Sequence, residues 1–518
     1  MRPVTRLLSV TIVTSLVSAC GSSDGGAMPT ASDSSTRGSL VGGNAPAKIA
    51  SYAGSDMLSM MSDTQMGQNA GDFLQSAFLF RCSVEVYQLQ YQTVGAMGES
   101  TTASGALMLP SGTNDECQGA RPISVYAHGT TELRDFNIAD LRDPDSIEGV
   151  LIAAAFAARG YIVVAPNYAG YDTSTLDYHP YLNADQQSKD VIDALAAARA
   201  AIPMLAQNVT DSGELFLTGY SQGGYVAMAT HRALEAVGQT VTASAPLSGP
   251  YALAAFGDAI FQGQVSIGAP LNVTLLATGY QRAYGNLYTN LTDAFEAQYA
   301  PGIDMLLPSD VSATDLYAQG KLPRRALFNG TPPDPQFATI TPATMPANLA
   351  TIFARGFGDN NLITNSYRLA ALQDALASPD GGFPATTTGV PAANPANPLR
   401  QALKLNDLRN WLPNAPVQLC AGNSDPTVFY MNTQLMQGYW AANPPAAAVT
   451  VVDIDSPSGA DDPYENLKDT FAITKQVLAA VAVAQGARNG GREEVLDAYH
   501  GLVAPFCLVA TASFFDGF

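Results

Sequence analysis

Apolar and polar positions change rhythm several times along the chain, and each change predicts an element. Residues 84–91 (VEVYQLQY) alternate, and 105–109 (GALML) run apolar, as antiparallel strands do. The lead-in over 48–80 has no such rhythm and reads as irregular or helical. From 123 onward the pattern switches repeatedly between strand and helix. ISVYAHG (123–129), YIVVAPNY (161–168) and VTASAPLSG (241–249) read as strands. GVLIAAAFAARG (149–160) and 185–201 read as helices, the first stopped by a glycine. Such alternation predicts an α/β fold, a mostly parallel sheet with helices on both faces.

The rhythm fades over 251–345, which is rich in Tyr, Ala and Pro and is expected to form an inserted, largely helical cap. A Pro/Ala/Thr-rich stretch at 378–399 has no regular pattern, and loops of that length are usually functional or mobile. The sheet resumes with PVQLCAG (416–422) and AVTVVDI (448–454), followed by a closing helix at about 464–485. The segment LDAYHGLVAPFC (496–507) is expected to be a loop returning to the strand ends.

One junction carries chemistry. In LFLTGYSQGGYV (215–226), Ser221 lies between a short apolar strand and a run with helical spacing. Gly219-Tyr220-Ser221-Gln222-Gly223 has the G-x-S-x-G form of a nucleophile elbow. The glycines matter because a Cβ on either side would crowd the packed strand and helix.

A serine hydroxyl needs a general base, and histidine has the suitable pKa. The chain has four histidines. His231 is carried away from the elbow along its helix, His128 shapes a strand end, and His179 in DYHPY sits in a structured loop. His500, late in the chain, is the best base by elimination and by position. The base needs an acid that fixes its tautomer. Asp425 follows the 416–422 strand, and functional groups gather at the carboxyl ends of such strands. The order Ser221, Asp425, His500 is the order expected for this elbow. Asp453 and Asp455 are the fallback acids. For the oxyanion, the backbone N–H groups of Gln222 and Thr130 are expected to donate, with Gly129 as the next choice.

Composition narrows the class. A chain of 518 residues with 47% hydrophobic and 14% charged residues has ample material for a large core. A net charge of −20 excludes a general affinity for nucleic acid. At the N-terminus, Arg2 and Arg6 precede the apolar run 7–16 and then VSAC (17–20), the form of an export signal. Ser18-Ala19 before Cys20 resembles a bacterial lipobox, which implies lipidation of Cys20, a membrane anchor, and location at the outer membrane or cell surface. Four cysteines remain, and an even number in an oxidising compartment suggests two disulfides. Of the three possible pairings, Cys82 with Cys117 and Cys420 with Cys507 is preferred. The first pair flanks the early strands, and the second ties the acid loop to the histidine segment. The expected organisation is a signal over 1–19, a flexible tether over 20–47, an α/β core over 48–250 and 346–518, and a cap over 251–345 between its two parts.

GYSQGG, HGT after a strand, APNYAGYD with HPYL at 165–182, and WLP with PVQLCAGNSD at 411–425 together resemble the α/β-hydrolase superfamily. Within it they are similar to secretory lipase-like esterases. The resemblance covers roughly residues 80–250 and 400–507. It implies the α/β-hydrolase fold with a cap, a Ser-Asp-His triad and carboxylic ester substrates. The cap itself rests on the missing strand rhythm and not on a motif, and the lipobox informs location only. The tyrosines at 168, 171, 178, 181, 251, 280, 284 and 288 are candidates to line an apolar acyl pocket. No spacing suits zinc, and no dinucleotide or phosphate-loop motif is present, so no metal or cofactor is expected. The expected activity is an exported serine esterase or lipase working through an acyl-enzyme. The alternatives are a serine peptidase or amidase on the same fold, or a surface-binding protein without turnover.

Overall fold

The computed structural model describes residues 36–62, 78, 80–205, 208–380 and 389–518. The export signal and Cys20 lie outside the described residues, as does 381–388 within the expected long loop. The strands are β1 (Ala47–Tyr52), β2 (Ser83–Val94), β3 (Ser100–Ser111), β4 (Gly119–Ala127), β5 (Ile162–Pro166), β6 (Val209–Tyr220), β7 (Ala243–Leu247), β8 (Val417–Ala421) and β9 (Val449–Asp453). The longer helices are α1 (Gly54–Ser62), α2 (Ile147–Ala155), α3 (Ala184–Ala201), α4 (Gln222–Ala236), α5 (Leu253–Phe261) and α6 (Ala269–Tyr284). They continue with α7 (Asn365–Ala377), α8 (Pro398–Leu405), α9 (Met431–Ala442), α10 (Glu465–Ala484) and α11 (Arg492–Phe515).

The strands form one sheet in the order β1-β2-β3-β5-β4-β6-β7-β8-β9. β1, β2, β3 and β5 pair antiparallel in turn, and the run from β5 to β9 is parallel. β5, β7 and β8 are buried along their whole length, which is why they read as unbroken apolar runs. The two faces are covered by different helices. His231 of α4 bonds Ser244 of β7, and Ser244 pairs with Leu217. Phe515 of α11 packs on Phe216, the neighbour of Leu217, with ring centroids 4.6 Å apart. Successive strand residues point to opposite faces, so α4 and α11 lie on opposite sides of the sheet.

Four expectations need correction. The lead-in, expected to be irregular or helical, is helical over Gly54–Ser62, but it begins with β1, which joins the sheet as an edge strand before α1. From Gly38 the chain already bonds to Gln92, and Arg37 pairs with Asp193, so part of the stretch expected to be tether is fixed to the core. The insertion between β7 and β8 runs over 248–416, longer than 251–345, because α7 and α8 pack against α5 within it. Arg400 of α8 clamps Asp258 of α5 through two 2.7 Å bonds. Finally, 496–507 is not a loop but part of α11, which continues through Gly501 and Pro505. Those residues cost a helix about 1 and 3 kcal/mol. Burial of Leu502, Val503, Phe506 and Leu508 against the sheet outweighs that cost.

Both expected disulfides are present, Cys82–Cys117 and Cys420–Cys507. They fit an exported protein in an oxidising setting.

Candidate active site

Register builds the site. β4 leaves the sheet centre with β5 on one side and β6 on the other, so a crevice opens at its carboxyl end. Ala127 pairs with Gly219, which places the 128–130 loop beside the turn that carries Ser221. Ser221 has φ 59° and ψ −119°, a conformation that costs an L-residue on the order of 1–3 kcal/mol. Its N–H donates to Leu247 O at 2.9 Å, which helps hold it there. The glycines are required by contact. A Cβ on Gly223 would lie 1.8 Å from Ala127 O, and one on Gly224 2.3 Å from Leu247 O.

Asp425 and His500 come together from 75 residues apart. His500 Nδ1 lies 2.6 Å from Asp425 Oδ2. Asp425 is buried, and its Oδ1 accepts the N–H groups of Thr427 at 2.9 Å and Val428 at 3.1 Å. Those bonds fix the carboxylate's rotation. His500 Nε2 is buried with no hydrogen-bond partner among the described residues, and His500 lines the same cavity as Ser221. The hydroxyl of Tyr220 donates to His500 O, pinning the helix turn that carries the imidazole. The Cys420–Cys507 bridge joins the strand before Asp425 to the helix after His500. The fallback acids are engaged elsewhere. Asp453 accepts from Asn423, and Asp455 meets Lys475 and Tyr499.

The Thr130 and Gln222 backbone N–H groups have no protein acceptor among the described residues, and both residues line the cavity. Gly129 differs. Its N–H donates to Glu148 Oε1 and Oε2 at 3.2 and 3.1 Å, so it is not a free oxyanion donor. The Gln222 side chain is held by His179, whose Nε2 accepts from Gln222 Nε2 at 2.7 Å while Nδ1 donates to Ala169 O. Burial lowers the His179 pKa to about 3, so it stays neutral in that role. His128 shapes its strand end, with its ring nitrogens 2.6 Å from Gly129 O and 3.1 Å from Asn167 O.

A Prolyl oligopeptidase family model matches residues 150–268. A rice cell wall degrading esterase, LipA from Xanthomonas oryzae, superposes with a TM-score of 0.60 at 27% identity, covering 87% of this chain and 98% of that one. The chain belongs to the α/β-hydrolase superfamily. A Legionella pneumophila structure shares the fold at 18% identity and TM-score 0.56, covering 86% of this chain and 98% of that chain. A comparison with curated proteins finds no match.

In this α/β-hydrolase the cavity over Ser221 has a volume of about 420 Å³. One side holds Ser221, Gln222, Thr130 and His500. The other is apolar and built by the insertion, with Leu253, Phe256 and Ile260 from α5, Leu271 and Leu276 from α6, and Leu403 from α8. Of the eight candidate tyrosines only Tyr181 and Tyr288 line it; Tyr168, Tyr171, Tyr251 and Tyr280 are fully buried packing residues. Among the described residues no group of three or more His, Cys, Asp or Glu is placed to hold a metal ion. Sequence reasoning missed Glu148, Tyr220 and the His179–Gln222 contact. Glu148 gave no signal, because an acidic residue in the first turn of a helix is ordinary.

Proposed function

We propose that this hydrolase cleaves carboxylic esters through an acyl-enzyme formed on Ser221. The reading rests on one observation: His500 presents an unpartnered, buried Nε2 to the cavity that Ser221 enters, while Asp425 holds its Nδ1 at 2.6 Å. Ser221 Oγ attacks the ester carbonyl as His500 Nε2 takes its proton. Asp425 keeps the proton on Nδ1 and stabilises the imidazolium. The oxyanion accepts from the Gln222 and Thr130 N–H groups. His500 then protonates the leaving alcohol, and water reverses the sequence to free the acid. The apolar wall suits an ester with an apolar acyl group. The LipA likeness supports an ester over an amide. The two disulfides fit an exported enzyme, and the lipobox resemblance points to a lipid anchor on Cys20.

The prolyl oligopeptidase match keeps a second reading, amide cleavage by the same residues. The test is turnover of a p-nitrophenyl ester series from C2 to C16, beside p-nitroanilides, by wild type and Ser221→Ala. Ester turnover lost in Ser221→Ala supports the proposal. Anilide turnover exceeding ester turnover favours the second reading. Failure of both, with no labelling of Ser221 by a fluorophosphonate in folded protein, overturns the nucleophile assignment.

A further inference from the structure

Glu148 is a carboxylate set at the cavity wall that the proposed chemistry does not use. It lies deep in the protein yet keeps part of its surface open to the cavity. Oε2 accepts the Tyr126 hydroxyl at 2.6 Å, and both oxygens face the Gly129 N–H. The next amide along the chain, Thr130 N–H, has no protein acceptor among the described residues. Two successive peptide groups are thereby given different tasks: one is anchored, and the other is left for the cavity.

We propose that Glu148 is a positioning residue for the oxyanion site, holding Gly129 so that the Thr130 N–H stays turned toward the carbonyl attacked by Ser221. The inference rests on the reading of Ser221 as nucleophile and Thr130 as a donor. Without the carboxylate, Gly129 N–H is buried without a partner, a loss that costs about 1–3 kcal/mol and that the loop relieves by turning. Turning carries Thr130 N–H with it. The titratable groups facing Glu148 are Tyr126, Tyr168, Tyr220 and His500. Burial raises its pKa, while the Tyr126 and Gly129 bonds and His500 oppose the rise. The hydrogen bonds need an acceptor and not a charge. Glutamine can place its carbonyl at the Oε2 position and accept from both donors, but its NH₂ then takes the Oε1 position, 3.2 Å from the Gly129 nitrogen, so its rescue is partial.

The test compares wild type, Glu148→Ala, Glu148→Gln and Tyr126→Phe on one p-nitrophenyl ester, recording kcat, KM and the pH profile. Glu148→Ala is expected to lose ~10–100-fold in kcat with KM nearly unchanged, part of the ~10²–10³ that one oxyanion donor supplies. Glu148→Gln recovers part of that loss without moving the acid limb of the profile. Tyr126→Phe, which leaves the Gly129 bond, gives a smaller loss of the same kind and reports on the site if Glu148→Ala does not fold. The inference is overturned if folded Glu148→Ala keeps its kcat. It is also overturned if Glu148→Gln is as slow as the alanine variant or shifts the acid limb, since charge and not position would then matter. If wild type neither turns over nor reacts with a fluorophosphonate, the nucleophile reading fails first, and that result is distinct from the others.

Discussion

Replacing Asp425 with asparagine tests the proposed chemistry at the atom that governs it. Oδ1 of Asp425 accepts two backbone N–H groups, from Thr427 and Val428, and Oδ2 faces His500 Nδ1 at 2.6 Å. An asparagine must keep its carbonyl oxygen toward the two N–H donors, so its NH₂ takes the Oδ2 position. It then confronts Nδ1 as a donor. His500 responds by carrying its proton on Nε2, the tautomer that cannot accept a proton from Ser221. The same substitution in Ser-His-Asp enzymes lowers kcat by ~10⁴, about 5–6 kcal/mol in the barrier. The loop stays intact because asparagine is isosteric and both backbone bonds survive. The assay is kcat/KM on a p-nitrophenyl ester, with thermal unfolding run in parallel. A loss near ~10⁴ with an unchanged melting temperature is expected. Activity within about tenfold of wild type, a difference of roughly 1.4 kcal/mol, would refute the tautomer argument.

The two disulfides should separate in effect. Cys420→Ser with Cys507→Ser opens a loop of 87 residues, worth about 4–5 kcal/mol by chain entropy. It should lower both the unfolding midpoint and kcat, because the bridge ties the Asp425 strand to the His500 helix. Cys82→Ser with Cys117→Ser opens 35 residues, worth about 4 kcal/mol, and should lower the midpoint while leaving kcat near wild type. Equal loss of kcat in both pairs would contradict this. Gly223→Ala puts a Cβ 1.8 Å from Ala127 O and should abolish soluble, fluorophosphonate-reactive protein. Recovery of a folded, labelled variant would show that the elbow can open. Buried His179 has its pKa lowered to about 3, so between that value and the ordinary 6.5 the unfolded chain binds a proton that the folded one does not. Its contribution, on the order of a few kcal/mol, is present above pH ~6.5 and is lost as pH falls toward ~3. The melting temperature of wild type should therefore fall more steeply across that window than that of His179→Gln, and parallel curves would count against it.

Strands and helices from 123 to 249 were legible because burial writes its pattern into the sequence, an unbroken apolar run in the fully buried β5 and β7 and a helical period in α3 and α4. β1 was not. It is an edge strand with mostly exposed side chains, so no apolar rhythm marks it. The helical state of 496–507 was hidden for the opposite reason. Gly501 and Pro505 signal a break locally, and only the apolar surface that α11 covers overrides them. The end of the insertion was misplaced because Arg400 of α8 holds both Asp258 of α5, 142 residues away, and Asp374 of α7.

By itself the sequence determined what is local: the strand–turn–helix around Ser221 with glycines where backbones touch, the alternation that makes a parallel sheet, and the cysteine pairs worth joining. It also picked out His500 and Asp425, by elimination and by place after a strand. Tertiary structure alone decided that these two side chains meet, that His500 rides on a helix and not a loop, and that Gly129 is committed to Glu148. Backbone sterics and burial period act between near neighbours and leave a trace in the sequence. A hydrogen bond between residues tens of positions apart depends on strand order and register, which no single stretch encodes.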